Sequence, residues 1–260
     1  MKIKNIWVST YPRCASFWVF NIIKEILKTK KLNVLPDENF IEHDDNKPKT
    51  FEFFNKNLKD NNPKNIFLFK IHRILKSNLP NSKIVTVIRD PREIIISNMR
   101  FSESNFKDNI KSIKYYMEMT NIYSNYKRDY ILILRYENII KNPSQTIKQI
   151  LNFTELEIPN ENILNIVKKF NKEENIKIIK KNDKKLTDNI MKKIPINKNS
   201  IVQYAANKYR FYDLKTGFQS KHISNMSEED YRKSLSKNEI DEIQLLFKDW
   251  LKIHKYPLNY

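Results

Sequence analysis

The sequence predicts an α/β fold: a central parallel sheet of four to five strands, flanked by helices and completed by a C-terminal lid segment. Two observations predict it. Short apolar runs with the length of buried strands recur at 3–10, 66–72, 83–88 and 130–135, and segments with apolar residues at helical spacing lie between them. Strands that alternate with helices pair in parallel through right-handed crossovers. In such sheets, ligands sit beyond the carboxyl ends of the strands. Polar residues gather at those ends here: Arg13 after the first, Lys70 and His72 at the second, Arg89 after the third and Tyr136 after the fourth.

The first element is a buried strand from Ile3 to Thr10. A tight loop, Tyr11-Pro12-Arg13-Cys14-Ala15-Ser16, leads into a helix beginning near Phe17-Trp18 with Phe20, Ile22, Ile23, Ile26 and Leu27 on one face. A strand, a loop and a helix N-terminus together suit an anion. Backbone N–H groups and the helix dipole point at it, and Arg13 adds a fixed cation. The loop has no glycine and is not the phosphate-binding pattern G-x-x-x-x-G-K-S/T. Residues 28–62 read as a loop-rich excursion with aromatics at Phe51, Phe53 and Phe54. The second strand is Ile66 to His72 and the third Lys83 to Ile88. Asp90-Pro91-Arg92-Glu93 predicts a helix start, with Asp90 as N-cap, Pro91 at the first helical position and Glu93 closing a capping box. A longer amphipathic helix is expected over 109–126. After the fourth strand, Asn142-Pro143 is read as capping a helix over 144–153. Residues 160–182 read as Lys/Asn-rich helices and 183–225 as loop and lid. The last helix is capped at Ser236, with Glu239 three residues on.

The 260 residues suit one α/β domain. The net charge is +18. It points to an anionic partner or to a coding bias that enriches Lys, Asn and Ile, and the scatter of the lysines fits the latter. A single cysteine excludes an internal disulfide and a cysteine-based metal cluster. The four histidines show no metal-ligand spacing. There is no signal-peptide pattern and no apolar run of transmembrane length, so the expectation is a soluble, cytoplasmic protein.

Four segments, in order, resemble the sulfotransferases that use 3′-phosphoadenosine 5′-phosphosulfate (PAPS). Thr10-Tyr11-Pro12-Arg13-Cys14-Ala15-Ser16-Phe17-Trp18 resembles the 5′-phosphosulfate loop, usually T-Y-P-K/R-S-G-T/N-T-W. Lys70-Ile71-His72 resembles the K-T-H segment with the family's catalytic histidine. Arg89 to Ser97 resembles the 3′-phosphate motif, an Arg followed eight positions later by a Ser. Leu134-Arg135-Tyr136-Glu137-Asn138, with Asn142-Pro143 beyond it, resembles L-R-Y-E-D…P, whose Tyr touches the adenine. A weaker fifth match runs from Gly217 to Ser224 and aligns the chain's one glycine with the family's. The chain departs from the pattern at Ala15, at Phe17 and before Gly217. There the family's R-K-G basic residues are missing in register, with Arg210 and Lys215 the nearest substitutes.

The resemblance implies a P-loop-like three-layer α/β/α domain over 1–260, with 28–62 on the acceptor side and 183–235 covering the cofactor. It implies PAPS as donor, no metal, and direct in-line transfer of a sulfuryl group to a hydroxyl or amine of a small molecule. His72 would be the general base, with Arg13 and Lys70 stabilising charge at the reacting end. Cys14, Ala15, Ser16, Phe17 and Trp18 would hold the cofactor with Arg13, joined by Arg89, Ser97, Tyr136 and Gly217. Beside Arg13 at a helix start, the Cys14 thiol is expected to have a lowered pKa. A carbohydrate acceptor remains open, as does a homodimer. The rivals are a nucleotide-dependent phosphotransferase and a basic nucleotide- or nucleic-acid-binding protein without transferase activity. No membrane partner is expected.

Overall fold

The computed structural model describes residues 3–37, 49–192, 201–205, 208–213, 216–220, 223 and 231–258. Five strands form the central sheet: β1 Asn5–Ser9, β2 Asn33–Leu35, β3 Asn65–Ile71, β4 Ser82–Ile88 and β5 Ile131–Arg135. All pair in parallel, in the order β2-β3-β1-β4-β5. The helices around them are α1 Ser16–Thr29, α2 Lys49–Lys56, α3 Pro91–Ser102, α4 Phe106–Ser124, α5 Tyr136–Lys141, α6 Pro143–Thr154, α7 Asn160–Lys169, α8 Lys172–Met191, α9 Tyr231–Ser234 and α10 Lys237–Ile253. An antiparallel hairpin, β6 Ile201–Ala205 and β7 Lys208–Phe211, stands apart from the sheet.

β1 is buried at every position, as a strand covered on both faces must be, which is why its sequence lacks polar alternation. Its polar ends are satisfied internally: the Asn5 amide donates to Pro80 O at 3.0 Å and the Ser9 hydroxyl to Arg73 O at 2.6 Å. The chain leaves β1 for β2 and β3 on one side and later fills β4 and β5 on the other. The carboxyl ends of β1, β3 and β4 therefore border one crevice, where the connectivity reverses.

The Asp90 carboxylate accepts the Arg92 N–H at 2.9 Å, and Pro91 begins α3 as expected. Glu93 does not close a capping box; it pairs with Arg89 at 3.6 Å instead. α10 carries the full box between Ser236 and Glu239. Pro143 opens α6, but Asn142 provides no side-chain cap.

Two regions expected as loops are more regular. Residues 28–62 contain β2 and α2. From α2, the rings of Phe51 and Phe54 lie 5.4 and 5.1 Å from Trp7, which itself stacks on Phe69 at 4.3 Å. These aromatics form part of the core. Within 183–225, α8 runs on to Met191 before the hairpin. Lys215, His222 and Ser224 lie outside the described residues.

Candidate active site

The loop between β1 and α1 turns sharply without glycine. Arg13 and Ala15 both take left-handed backbone conformations, with φ of 68° and 56°. This costs roughly 1–2 kcal/mol per non-glycine residue. Tight turns of this kind gather N–H groups into anion-receiving nests. Ala15 offers no side-chain cap, so the first N–H groups of α1 and the positive end of its dipole sit at the crevice.

Arginines converge beside this loop. The Arg13 Nε donates to Ser97 Oγ at 2.9 Å, and Arg89 Nη1 donates to Arg13 O at 2.8 Å. The Arg89 guanidinium lies over the Tyr136 ring at 4.0 Å. Phe101, one turn beyond Ser97 on α3, carries two guanidiniums on its ring: Arg13 at 4.5 Å and Arg210 of β7 at 4.2 Å. Arg210 also donates to the Phe101 carbonyl. Burial pushes the Arg13 pKa down to about 10, with the charges of Arg89 and Arg210 acting in the same direction. It stays protonated at neutral pH.

His72 follows β3 across the crevice. Its Nδ1 lies 2.7 Å from Thr10 O, which can only accept, so Nδ1 carries the proton. The lone pair therefore sits on Nε2, where the Lys70 ammonium donates at 3.2 Å. Burial first, then the Lys70 charge, push the imidazole down to about 3; Arg13 adds to this and the Thr10 bond opposes it. His72 is neutral at any physiological pH and its basic nitrogen faces a cation.

Among the described residues, two buried polar atoms of the crevice, Arg89 Nε and Thr10 Oγ1, have no hydrogen-bond partner. Buried donors are normally satisfied, so both fit a site made for an anionic ligand.

A sequence profile of the sulfotransferase domain matches residues 4–255. The chain belongs to the sulfotransferase family. No curated protein matches the sequence. The fold is that of a mouse sulfotransferase crystallised with 3′-phosphoadenosine 5′-phosphate (PAP), at 13% identity and a TM-score of 0.62, covering 96% of this chain and 84% of that one. Retinol dehydratase, crystallised with androsterone and PAP, is similar at 17% identity and a TM-score of 0.61, covering 98% and 82%.

Within this sulfotransferase domain, the candidate residues fall into two groups. Arg13, Lys70, His72, Arg89, Ser97 and Tyr136 come together through the contacts above. Cys14 does not join them: its side chain is fully buried in the core. Burial pushes its thiol up to about 12, overriding Arg89 and Arg13, so the lowered pKa expected from its position is not found. Ser16 is buried as the first residue of α1. Trp18 is half-buried, its indole N–H donating to Phe170 O at 3.2 Å. Phe17 meets Gly217, and its ring also lies 4.2 Å from the Lys70 ammonium. Among the described residues, no group of three or more His, Cys, Asp or Glu side chains is placed to hold a metal. Among the described residues, no helix is long and apolar enough to cross a membrane.

Sequence reasoning missed the tyrosines of α4. The Tyr116 hydroxyl accepts the Arg89 N–H and donates to the Arg89 carbonyl, both at 2.8 Å, and so fixes the backbone of the arginine. Two turns further along the same face, Tyr123 OH shares a 2.6 Å bond with Ser9 Oγ and accepts the Leu75 N–H at 3.0 Å, pinning the segment after His72. A signal existed: both tyrosines fall on the buried stripe of α4, where a hydroxyl must find a partner.

Proposed function

We propose that the chain moves a sulfuryl group from PAPS to a hydroxyl or amine of a small molecule, by direct in-line transfer with His72 as general base. The observation that carries this reading is a neutral imidazole, its basic nitrogen exposed to Lys70, set across one crevice from an arginine corner with an unpartnered buried Nε. PAPS supplies the activated sulfuryl group on its 5′-phosphate. The segment Arg13, Cys14, Ala15, Ser16 and Phe17 would hold the 5′ end through backbone N–H groups and the Arg13 guanidinium. Arg89 and Ser97 would take the 3′-phosphate. Arg210 stands where it could supply the positive charge that the stretch before Gly217 lacks. Trp18 and Tyr136 would flank the adenine. Phosphate oxygens are the acceptors that Arg89 Nε and Thr10 Oγ1 call for.

His72 would take the proton of the acceptor on Nε2, while Thr10 O holds the other nitrogen. Two of the causes that suppress its basicity are the neighbouring charges of Lys70 and Arg13, and these are the charges a polyanionic donor neutralises. Lys70 and Arg13 then face the charge that develops at the reacting end. The work of the protein is positioning and charge stabilisation, and none of these steps calls for a metal. Residues 28–62 would border the acceptor and 183–235 would cover the nucleotide, within one cytoplasmic domain over 1–260. Retinol dehydratase has been crystallised with androsterone and with retinol, which makes apolar hydroxyl compounds the first acceptors to screen, ahead of phenols, amines and saccharides.

The test is an acceptor screen with radiolabelled PAPS, run beside His72→Ala. Loss of a general base lowers kcat by ~10²–10⁴-fold. A His72→Ala protein that transfers as fast as the parent removes the base assignment, and no transfer to any acceptor class removes the activity.

A further inference from the structure

Phe17 does something the phosphate-loop pattern does not describe. Its ring is buried in the first turn of α1, in a small apolar cluster with Ile179, Tyr212 and Phe218 that is separate from the main core. The turn that holds Gly217 rests directly on it. A Cβ added to Gly217 would fall 1.7 Å from Phe17 Cε1 and 2.3 Å from Cδ1, so no side chain fits there. Gly217 also has a left-handed φ of 72°. The turn is tied internally by Asp213 N–H to Phe218 O at 2.9 Å and Thr216 N–H to Asp213 Oδ1 at 3.2 Å. The Asn21 amide, one helical turn beyond Phe17, donates to both Phe17 O and Thr216 O at 2.8 Å. The turn thus docks on α1 through one ring and one amide.

The same ring holds Lys70. The ammonium lies 4.2 Å from the Phe17 ring centroid and 3.2 Å from His72 Nε2. An ammonium on the imidazole lone pair occupies the site a base must keep open. The groups facing His72 are Lys70 from β3, and the Thr10 carbonyl and Arg13 from the loop after β1. Of these, Lys70 is the one braced by Phe17.

We propose that Phe17 is a positioning residue that couples docking of Gly217 and Phe218 to His72, by holding the Lys70 ammonium on the imidazole lone pair. With the turn seated, the ring faces Lys70 and the lone pair is masked. Displacing the ring, or drawing the ammonium toward an anion, opens it. The catalytic meaning of this coupling rests on His72 being the base, but the coupling itself is measurable without catalysis.

The experiment is an NMR titration of the histidines in the full chain, with the His72 signal assigned through His72→Asn. Three variants are compared with the parent: Gly217→Ala, which unseats the turn; Phe17→Leu, which keeps an apolar side chain but removes the aromatic face; and trifluorophenylalanine at position 17, which keeps the shape and weakens the ring's attraction for a cation. Hydrogen exchange of 211–220 is recorded for each. Each variant is expected to raise the His72 midpoint by about one pH unit, tenfold in proton affinity. Only Gly217→Ala and Phe17→Leu should loosen the turn. A His72 midpoint unchanged in the fluorinated protein, or unchanged in Gly217→Ala while its turn exchanges freely, overturns the proposal. Moved midpoints in a protein with no sulfuryl transfer would leave the coupling standing and remove the proposed function; transfer with unmoved midpoints would do the reverse.

Discussion

Replacing Tyr116 by Phe removes one oxygen and nothing else, which makes its cost predictable. The ring stays packed against Tyr11 at 5.4 Å and Trp250 at 5.4 Å, so no cavity opens. The hydroxyl is fully buried and makes two bonds, accepting from Arg89 N and donating to Arg89 O. A buried backbone group left without a partner costs ~1–3 kcal/mol, so two of them give a loss of about 2–6 kcal/mol. In urea, with slopes of ~1–3 kcal/mol per molar, the midpoint should fall by on the order of 1 M at an unchanged slope. Arg89 is also the residue that would meet the 3′-phosphate, so PAP should bind roughly tenfold more weakly, as for the loss of one charge-assisted contact. Tyr123→Phe is the control. Its hydroxyl also serves Ser9 and Leu75 in the interior, so it should cost similar stability. It touches the segment after His72, not Arg89, and should leave PAP affinity within about twofold, well below the worth of a charge-assisted bond. A Tyr116→Phe protein as stable as the parent, or equal losses of PAP affinity in the two variants, would refute the assignment of Tyr116 as the support of Arg89.

Further outcomes follow from the same geometry. Ala15 holds a left-handed conformation that glycine adopts without strain, so Ala15→Gly should raise the urea midpoint, with a gain of ~0.5–1 kcal/mol after the added freedom of the unfolded chain is subtracted. The guanidinium of Arg92 is fully buried against Asp90 and also donates to Pro257 O at 3.0 Å, so Arg92→Ala should cost about 3–5 kcal/mol in urea unfolding by leaving a buried carboxylate unpaired. His72 titrates near 3 in the fold and near its ordinary value when unfolded. The unfolded chain therefore binds the extra proton between those values. Stability should fall as pH drops from about 6.5 toward 3, by at most ~1.4 kcal/mol per pH unit from this group, and His72→Gln should flatten that slope. The Cys14 thiol, pushed up to about 12 in the core, should resist alkylation in the native protein and react only as fast as the protein unfolds; rapid labelling at neutral pH would contradict its burial.

The parts of the fold read most directly from sequence are those where neighbouring residues decide the structure. The Asp90-Pro91 start of α3 and the Ser236 box of α10 are local hydrogen-bond devices, and both formed where the sequence placed them. Four of the five strands followed from apolar runs, because a strand buried on both faces has little choice of side chain, whereas β2, three residues at the sheet edge, carries no such run. What stayed hidden depended on distant partners. Glu93 looked like a capping residue, but the Arg89 charge four residues back claims it. The sequence shows the aromatics of α2 but not what they pack on, which is Trp7 and Phe69. Cys14 showed the same limit: its helix-start position suggested a reactive thiol, but the side chain points into a dry interior, where desolvation dominates. Of the candidate site, Arg13, Lys70, His72, Arg89, Ser97 and Tyr136 were legible as residues gathered at one sheet edge, and Cys14 was not. The Phe101 platform shared by Arg13 and Arg210, and the tyrosine supports from α4, arise only when separate elements meet.

Two phosphate groups held at one sheet edge form the central claim, and calorimetry on the intact chain addresses it without needing an acceptor. PAP and adenosine 5′-monophosphate differ only in the 3′-phosphate, and Arg89 is the residue proposed to read it. PAP should bind at least about tenfold more tightly than the monophosphate, and Arg89→Ala should erase that difference. Equal binding of the two nucleotides by the parent protein, or no heat with either, would contradict the account.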